Sequence, residues 1–362
     1  MMLSMTGAYS RGGVQAYSRR VAEILSDYGR QRQLELYGVS LQDDGWDSGQ
    51  HPNPVRYAGF AAAGGNRLEF LRASAGMAWT ARPRLAVVMH TCIAPAAMML
   101  RAARMTGPYL LVLHGVEAWG RVKAPVRAAA AGAFRIVATT WHTAREFGQA
   151  NGIAEEKFVV IPLAIAESSG AAPAARTGEL RVLTAGRLHA DDSYKGYDVL
   201  IRAIGRARET GAKVRLRVVG AGDDRSRLES IANDLGLAGE GVEFLGAVSD
   251  PQLQQEFQEC DVFALPSKGE GFGIVYLEAM SMARPCIAGN HGGPPEIIDD
   301  GKDGYLVEHG DVEQLASRLS TLYREPELRR EMGANAALKV NQRFLFSHMR
   351  NAWFQLLDTV SQ

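Results

Sequence analysis

Short runs of apolar residues alternate with longer amphipathic stretches along almost the whole chain of 362 residues. The apolar runs predict β-strands, and the amphipathic stretches predict the helices between them. In the first half, the predicted strands are 34–41, 85–90, 109–114, 134–139 and 158–162. In the second half, they are 180–186, 214–220, 242–246, 262–266, 285–288 and 305–307. Regular alternation of this kind predicts the α/β class, with parallel sheets wrapped by helices on both faces.

The opening segment, residues 1–6, is a poor strand candidate. It is short and lacks the β-branched run that favours extended structure. The pattern indicates either a strand of edge quality or a wrongly assigned start codon.

The length of the chain predicts two domains, because single cores stop growing near this size. Segment 169–178 is small, polar and proline-bearing, which is typical of a linker. It separates a first domain, 1–168, from a second domain, 179–345. The last predicted helix, 346–362, follows a complete second domain and could cross back onto the first. Two such domains are expected to leave a cleft between the carboxyl ends of two sheets.

Composition describes a soluble globular protein, with 46% apolar and 22% charged residues. The opening residues do not resemble a signal peptide. The three cysteines, Cys92, Cys260 and Cys286, lack metal spacing and are expected to be small core residues in a reducing cytoplasm.

The net charge is zero but unevenly distributed. Residues 1–176 contain 19 Lys and Arg and 12 Asp and Glu, which gives a net charge of +7. Residues 177–362 have a net charge of −7. This asymmetry indicates that the first half binds a membrane surface or nucleic acid. The alternative is that the charges on the solvent-exposed surfaces of the two halves differ without a functional reason. Nucleic acid is the weaker option, because aromatic residues at regular spacing are missing.

The segment 262–280 is the most informative, since it runs from a strand through a glycine-rich loop into a helix. Such a loop points backbone N–H groups and a helix N-terminus at one anionic ligand. Glu270 in the loop would repel a bare phosphate, but it can accept hydrogen bonds from the sugar hydroxyls of a sugar diphosphate. Glu278, in the helix, can hold the two hydroxyls of a ribose. The alternative is a solvated loop glutamate and a glutamate on a helix face.

Further candidates lie at other predicted strand ends. Arg187 and Lys195 flank one loop, where two cations can clamp a diphosphate or can be solvated surface charges. His114 ends a strand and could donate a hydrogen bond to a substrate hydroxyl or carry a proton, although a structural role is more common. Gly12 and Gly13 allow close approach of the backbone to a phosphate, a sugar or a neighbouring loop. Paired aspartates in a metal-binding position are missing from these strand ends, so the sequence predicts no metal.

In their order and spacing, several motifs resemble those of the retaining glycosyltransferases of family 4, which have the GT-B fold. The motifs are Gly186-Arg187-Leu188 with Lys195-Gly196, Val218-Val219-Gly220-Ala221-Gly222, Phe244-Leu245-Gly246, Glu270-Gly271-Phe272-Gly273 with Glu278-Ala279-Met280, and Gly292-Gly293 with Pro295-Glu296. The resemblance covers nearly the whole chain and implies two facing Rossmann-like, doubly wound domains with a cleft between them.

The resemblance also implies roles for individual residues. Arg187 and Lys195 would bind the donor diphosphate, and Glu270 would contact the transferred sugar. Glu278 would bind the ribose, and His114 would lie near the sugar from the first domain. The remaining donor-binding positions are Gly271, Phe272 and Gly273 for their amides, Gly12 and Gly13 beneath the diphosphate, and Gly246 at the loop that holds the base. Pro294 departs from the family pattern, since it removes one N–H donor from the loop at 290–298.

The expected activity is therefore metal-independent, retaining transfer of a sugar from a nucleoside-diphosphate sugar to an acceptor hydroxyl, without a cofactor. The expected acceptor is a lipid-linked saccharide at an anionic membrane, and the expected location is the cytoplasm or the inner face of the cell membrane. A nucleotide-sugar epimerase or hydrolase on the same fold remains open, as does a non-catalytic nucleotide-sugar-binding protein.

Overall fold

The computed structural model describes residues 1–7, 12–44, 55–166 and 178–361. The chain divides into two compact units. Unit 1 comprises Met1–Leu163 and Ser347–Gln362, and unit 2 comprises Ala164–Phe346. The division falls a few residues before the predicted linker. Apart from Gly178, that linker lies outside the described residues.

Unit 1 contains one parallel sheet of seven strands. Its strands are β1 Met2–Met5, β2 Tyr37–Ser40, β3 Gly59–Ala62, β4 Ala86–Val88, β5 Tyr109–Leu113, β6 Arg135–Ala138 and β7 Phe158–Val160. Its helices are α1 Gly13–Arg32, α2 Arg67–Ala81, α3 Ala94–Ala102, α4 Ala124–Gly132, α5 Trp141–Asn151 and, after unit 2, α12 Phe346–Ser361. The strand order is β3-β2-β1-β4-β5-β6-β7, and every pairing is parallel.

The first strand is not an edge strand, so that expectation is wrong. β1 pairs with β2 on one side and with β4 on the other, and all four of its residues are buried. A strand buried on both faces needs apolar residues, and Met and Leu satisfy this need without β-branching. The edge is formed instead by β3, which the pattern missed because its sequence is rich in Gly and Ala.

The helix α12 packs within unit 1. The Tyr28 hydroxyl donates to Asp358 Oδ1 at 2.8 Å, and Arg32 donates to the same oxygen at 2.8 Å. Trp353, on the same helix, is fully buried. The C-terminal helix therefore completes the core around α1.

Unit 2 contains a second parallel sheet, of six strands. Its strands are β8 Leu180–Ala185, β9 Val214–Val219, β10 Val242–Gly246, β11 Val262–Leu265, β12 Cys286–Gly289 and β13 Gly304–Val307. Its helices are α6 Tyr197–Glu209, α7 Arg225–Asp234, α8 Asp250–Glu259, α9 Ile274–Ser281, α10 Val312–Arg324 and α11 Pro326–Arg343. The strand order is β10-β9-β8-β11-β12-β13.

Both sheets reverse their strand order at one place, between β1 and β4 in unit 1 and between β8 and β11 in unit 2. In doubly wound sheets, the loops at the carboxyl ends of the strands flanking such a switch point bind ligands. The candidate ligand-binding loops are therefore those after β1 and β4 in unit 1 and those after β8 and β11 in unit 2.

The cysteines and the apolar character of the helices test two further expectations. Cys260 and Cys286 are buried as expected, but Cys92 is exposed and is not a core residue. Among the described helices, none combines the length and the apolar character needed to cross a membrane.

Candidate active site

The switch point of unit 2 brings together two predicted residues that are far apart in the sequence. Lys195 Nζ donates to Glu270 Oε1 at 3.2 Å, and the two side chains are only 12% and 17% exposed. Lys195 belongs to the loop after β8 and Glu270 to the loop after β11. A partly buried cation and carboxylate thus lie where a doubly wound fold binds its ligand.

The two loops are locked together by backbone contacts. The Lys268 N–H donates to the Tyr194 carbonyl oxygen at 2.8 Å. Gly196 has a φ of +73°, and a Cβ there would lie 2.8 Å from the Pro266 carbonyl oxygen. Because only glycine fits this contact without strain, the Lys195-Gly196 pair lets the β8 loop pack closely against the β11 loop.

Arg187 is in a different setting from Lys195. Its side chain is 70% exposed and forms an ion pair with Asp192 at 3.2 Å. Asp192 is buried, so it holds the guanidinium at the rim of the loop. The predicted clamp therefore has one half-buried cation and one exposed cation.

The N-terminus of α9 faces this region with no side-chain cap from any described residue. Gly273 precedes the helix, and the first N–H groups lie directly after the Glu270 loop. Free N–H groups at a helix start attract negative charge. The Phe272 ring packs edge-on against Phe344 with ring centroids 6.2 Å apart, so this residue can offer only its backbone.

The loop at 290–298 lies against the Glu270 loop. The Gly293 N–H is used within the protein, since it donates to the Glu270 carbonyl oxygen at 2.8 Å. A Cβ at Gly293 would lie 2.5 Å from the Gly271 carbonyl oxygen. This loop therefore supports the Glu270 loop from behind. Pro294 begins a short 3-10 turn, where its missing N–H costs no internal hydrogen bond.

Glu278 lies on α9 and is half-buried. Burial raises the pKa of Glu278 to about 7, and the Asp250 carboxylate adds to the shift by repulsion. The side chain is therefore divided between its protonated and ionised forms near neutral pH.

This pKa predicts how nucleotide binding depends on pH. If Glu278 binds the ribose, its ionised form would accept from both hydroxyls, whereas its protonated form would lose acceptor capacity. One pH unit below its pKa, a carboxyl group is about one-tenth ionised, so nucleotide affinity should be up to ~10-fold weaker at pH 6 than at pH 8. Calorimetry with the nucleoside diphosphate measures this slope.

The matched control is Glu278→Gln, which keeps the shape of the side chain and does not titrate. Any slope that remains in this variant belongs to the nucleotide's own phosphate. Equal slopes in the two proteins would contradict an ionised Glu278 in ribose binding.

The end of β10, where the base is expected, is formed by Phe244 and Gly246. The guanidinium of Arg225 lies 5.9 Å from the Phe244 ring centroid, and Glu229 accepts from its Nε at 2.7 Å. A Cβ at Gly246 would lie 3.3 Å from Arg225. Arg225 was not among the residues predicted from the sequence, although it is a basic residue three positions after the Gly220-Ala221-Gly222 loop.

In unit 1, His114 follows β5 and is buried. Its Nε2 lies 2.6 Å from the Met89 carbonyl oxygen, so this nitrogen carries the hydrogen in the neutral ring. Nδ1 is buried and has no partner among the described residues. Burial lowers the pKa of His114, against the opposing effect of the Glu117 carboxylate. The neutral ring can therefore accept a hydrogen bond at Nδ1 but has no free N–H to donate.

The switch point of unit 1 contributes the glycine pair and a second histidine. Gly12 has a φ of +149°, and a Cβ there would lie 2.4 Å from the Gln15 side chain. A Cβ at Gly13 would meet no described atom within 4 Å. His90 follows β4, and its ring centroid lies 6.4 Å from that of His114. The glycine pair, His90 and His114 follow β1, β4 and β5, which are consecutive in the sheet.

Metal-ligating side chains do not cluster in the described part of the chain, where no group of three or more His, Cys, Asp or Glu residues could hold an ion. Whether activity needs a metal stays a prediction.

Comparison with known proteins shows what this part of the chain is similar to. Residues 168–339 match the family model described as glycosyl transferases group 1. These residues include Arg187, Lys195, Glu270 and Glu278, so the match covers the part of the chain that holds the half-buried ion pair.

Curated relatives match less than half of the chain. A GDP-mannose-dependent α-(1-6)-phosphatidylinositol monomannoside mannosyltransferase of Mycolicibacterium smegmatis is 37% identical over 146 residues, which is 38% of this chain and 38% of the relative's length. A D-inositol 3-phosphate glycosyltransferase of Stackebrandtia nassauensis is 36% identical over 163 residues, which is 42% of this chain and 36% of the relative. The chain thus matches well under half the length of these relatives.

Solved structures match over the whole chain at low identity. The Anabaena protein HepE in complex with UDP has a TM-score of 0.78 and 20% identity, with 99% of each chain covered. The sucrose-phosphate synthase of Thermosynechococcus elongatus has a TM-score of 0.79 and 19% identity, with 99% of this chain and 98% of that chain covered. The predicted resemblance to family 4 and the predicted α/β fold are confirmed. The chain is thus similar to the group 1 glycosyltransferases over residues 168–339, just under half of its length, and it has the GT-B fold.

Proposed function

We propose that this glycosyltransferase moves a hexose from a nucleoside-diphosphate sugar to a hydroxyl of a lipid-linked acceptor, with retention at the anomeric carbon and without a metal. The observation that carries the proposal is the ion pair between Lys195 and Glu270 beside the uncapped start of α9. A cation and free N–H groups suit a diphosphate, and a carboxylate suits the hydroxyls of the sugar attached to it.

The proposed roles of the residues are compatible with retention of the anomeric configuration. The acceptor oxygen would attack the anomeric carbon from the side of the leaving group. As the bond to the departing phosphate oxygen breaks, that oxygen would take the acceptor's proton. Lys195 and Arg187 would stabilise the negative charge that develops on the diphosphate. Glu270 would hold the sugar through its hydroxyls, for which it must exchange its contact with Lys195.

The choice of substrates is guided by the relatives. One is a GDP-mannose-dependent phosphatidylinositol monomannoside mannosyltransferase, and another acts on D-inositol 3-phosphate. A structural neighbour was solved with UDP-glucose. We therefore propose GDP-mannose as the first donor, with UDP-glucose as the competing candidate, and an inositol-containing phospholipid as the first acceptor.

The test has two stages. Calorimetry should detect binding of GDP or UDP to the full chain. Incubation with radiolabelled GDP-mannose or UDP-glucose, with and without a phosphatidylinositol acceptor, should then yield a labelled lipid whose linkage has the anomeric configuration of the donor. EDTA should leave this activity intact.

Each rival function has its own outcome in this assay. Altered or hydrolysed nucleotide sugar without any acceptor dependence would identify an epimerase or hydrolase. Nucleotide binding without turnover of either donor would identify a binding protein. An inverted product, or a loss of activity in EDTA that Mg²⁺ or Mn²⁺ reverses, would refute the corresponding part of the proposal.

A lipid acceptor requires contact with a membrane, and one helix of unit 1 has a suitable surface. Leu68, Leu71, Arg72 and Trp79 are exposed on α2. Their spacing of three, four and eleven positions places them on one side of a helix. We call these four residues the α2 surface. Arg82 lies over the Trp79 ring, with its Cζ 5.3 Å from the ring centroid, and adds a second cation.

Two other large apolar residues of unit 1, Met77 and Trp119, are engaged elsewhere. Met77 packs against the core of unit 1. Trp119 donates its indole N–H to Thr143 Oγ1 at 3.2 Å, and its ring packs against His142. The α2 surface therefore carries the proposed contact, because large apolar and cationic side chains together suit a headgroup boundary.

Co-sedimentation with vesicles tests this surface. The chain should bind vesicles that contain an anionic phospholipid more strongly than neutral ones, and binding should weaken with salt. The double variant Leu68→Ser, Trp79→Ser should lower the bound fraction about tenfold. The control is Leu338→Ser, which alters a similarly exposed leucine of α11 in unit 2. A soluble acceptor would be favoured if the chain bound neither vesicle type at any salt concentration.

A further inference from the structure

Tyr197, the first residue of α6, carries a polar atom that the roles above leave unexplained. Its side chain is 5% exposed, and its hydroxyl has no hydrogen-bond partner among the described residues. A buried hydroxyl without a partner destabilises a folded protein, and phenylalanine would fill the same space without this penalty. A tyrosine at this position therefore points to a partner that is not part of the protein.

The hydroxyl lies at the switch point of unit 2. A side chain at Gly186 would place its Cβ 2.5 Å from the Tyr197 hydroxyl oxygen and 3.6 Å from Lys195 Nζ. The hydroxyl and the ammonium group therefore approach the same point next to the end of β8. Glycine at position 186 makes room for the hydroxyl at this point.

The surroundings keep the hydroxyl protonated. Burial raises the pKa of Tyr197 far above its ordinary value, and the carboxylates of Glu270 and Asp192 raise it further. The group is thus an O–H donor at any physiological pH. What it lacks is an acceptor, and phosphate oxygens are strong acceptors.

We propose that the Tyr197 hydroxyl is a third hydrogen-bond donor to the diphosphate of the donor substrate, beside Lys195 and Arg187. The inference rests on the proposed use of a nucleoside-diphosphate sugar. Lys195 now donates to Glu270, and both side chains must leave that contact to reach phosphate and sugar. Their separation opens the space beside Gly186, so that a phosphate oxygen bound by Lys195 can accept from the hydroxyl.

The variant Tyr197→Phe removes only the oxygen atom. If the hydroxyl meets a phosphate, GDP or UDP affinity and the rate of sugar transfer should each fall about tenfold or more. Because no hydrogen bond within the described structure is lost, the melting temperature should stay the same or rise. A purely structural tyrosine cannot produce lower activity together with undiminished stability.

The matched control is Tyr109→Phe, in the core of unit 1. Its hydroxyl donates to the Ala129 carbonyl oxygen, so this variant should melt at a lower temperature and keep its nucleotide affinity. Full nucleotide affinity and turnover in Tyr197→Phe would overturn the inference, and so would losses that accompany a lower melting temperature. A wild-type chain that binds neither GDP nor UDP would instead overturn the proposed function, which keeps the two failures distinct.

Discussion

Replacing Lys195 with alanine is expected to lower kcat for sugar transfer by roughly 10²-fold or more, the range seen when one preorganised electrostatic donor is removed from an active site. The side chain is 12% exposed and lies beside the Glu270 carboxylate. In such a partly dehydrated setting, a single cation contributes more to a developing negative charge than it does in water. Charge develops on the leaving diphosphate mainly in the transition state, so turnover should suffer more than donor binding.

The control for this variant is Lys213→Ala. Lys213 is an exposed lysine in the turn before β9, at the amino end of the same sheet and away from the switch-point loops. It should retain full turnover. A near-normal kcat in Lys195→Ala would show that Lys195 does not stabilise the leaving group. The principal cation would then be Arg187, which is far more exposed.

Replacing Glu270 with alanine is expected to damage turnover by a similar factor while leaving the affinity for free nucleoside diphosphate nearly intact. The proposed partner of Glu270 is the transferred sugar, which the free nucleotide lacks. The substitution also releases Lys195 from its ion pair, which leaves this cation available to the phosphates. Calorimetry with the nucleotide alone, beside kinetics with the complete donor, separates the two effects.

The matched variant is Glu278→Ala on the neighbouring helix. It should lower the affinity for both the free nucleotide and the complete donor, because the proposed partner of Glu278 is the ribose, which both ligands contain. The division of roles would fail if both variants lost nucleotide binding to the same degree. Isosteric Glu270→Gln adds a further check, since it keeps one carbonyl oxygen as an acceptor and should retain more turnover than the alanine variant.

The sequence determined the features that depend on local pattern. Continuous apolar runs separated by amphipathic stretches predicted most strands of both sheets to within a few residues, although β3 was missed. Alternation also implied parallel strands, so loops after the strands had to lie at one edge of each sheet. For that reason Arg187, Lys195, Glu270 and Glu278 could be assigned to one region without a structure.

Only the tertiary structure decided the strand order and the partner of each polar group. The weak first strand lies in the middle of its sheet because β2 and β4 bury it, and nothing within Met2–Met5 reveals those neighbours. Lys195 and Glu270 are 75 positions apart, and the amide of Gly293 is used by the carbonyl of Glu270 rather than kept for a ligand.

Burial decided the chemistry of several groups in the same way. The raised pKa of Glu278, the acceptor nitrogen of His114 and the unpartnered hydroxyl of Tyr197 each depend on atoms from distant segments. Hydrogen-bond partners and dehydration act through space, whereas a sequence pattern records only neighbours along the chain. The residue types at this site were therefore predictable from the sequence, and their protonation and pairing became known only from the folded chain.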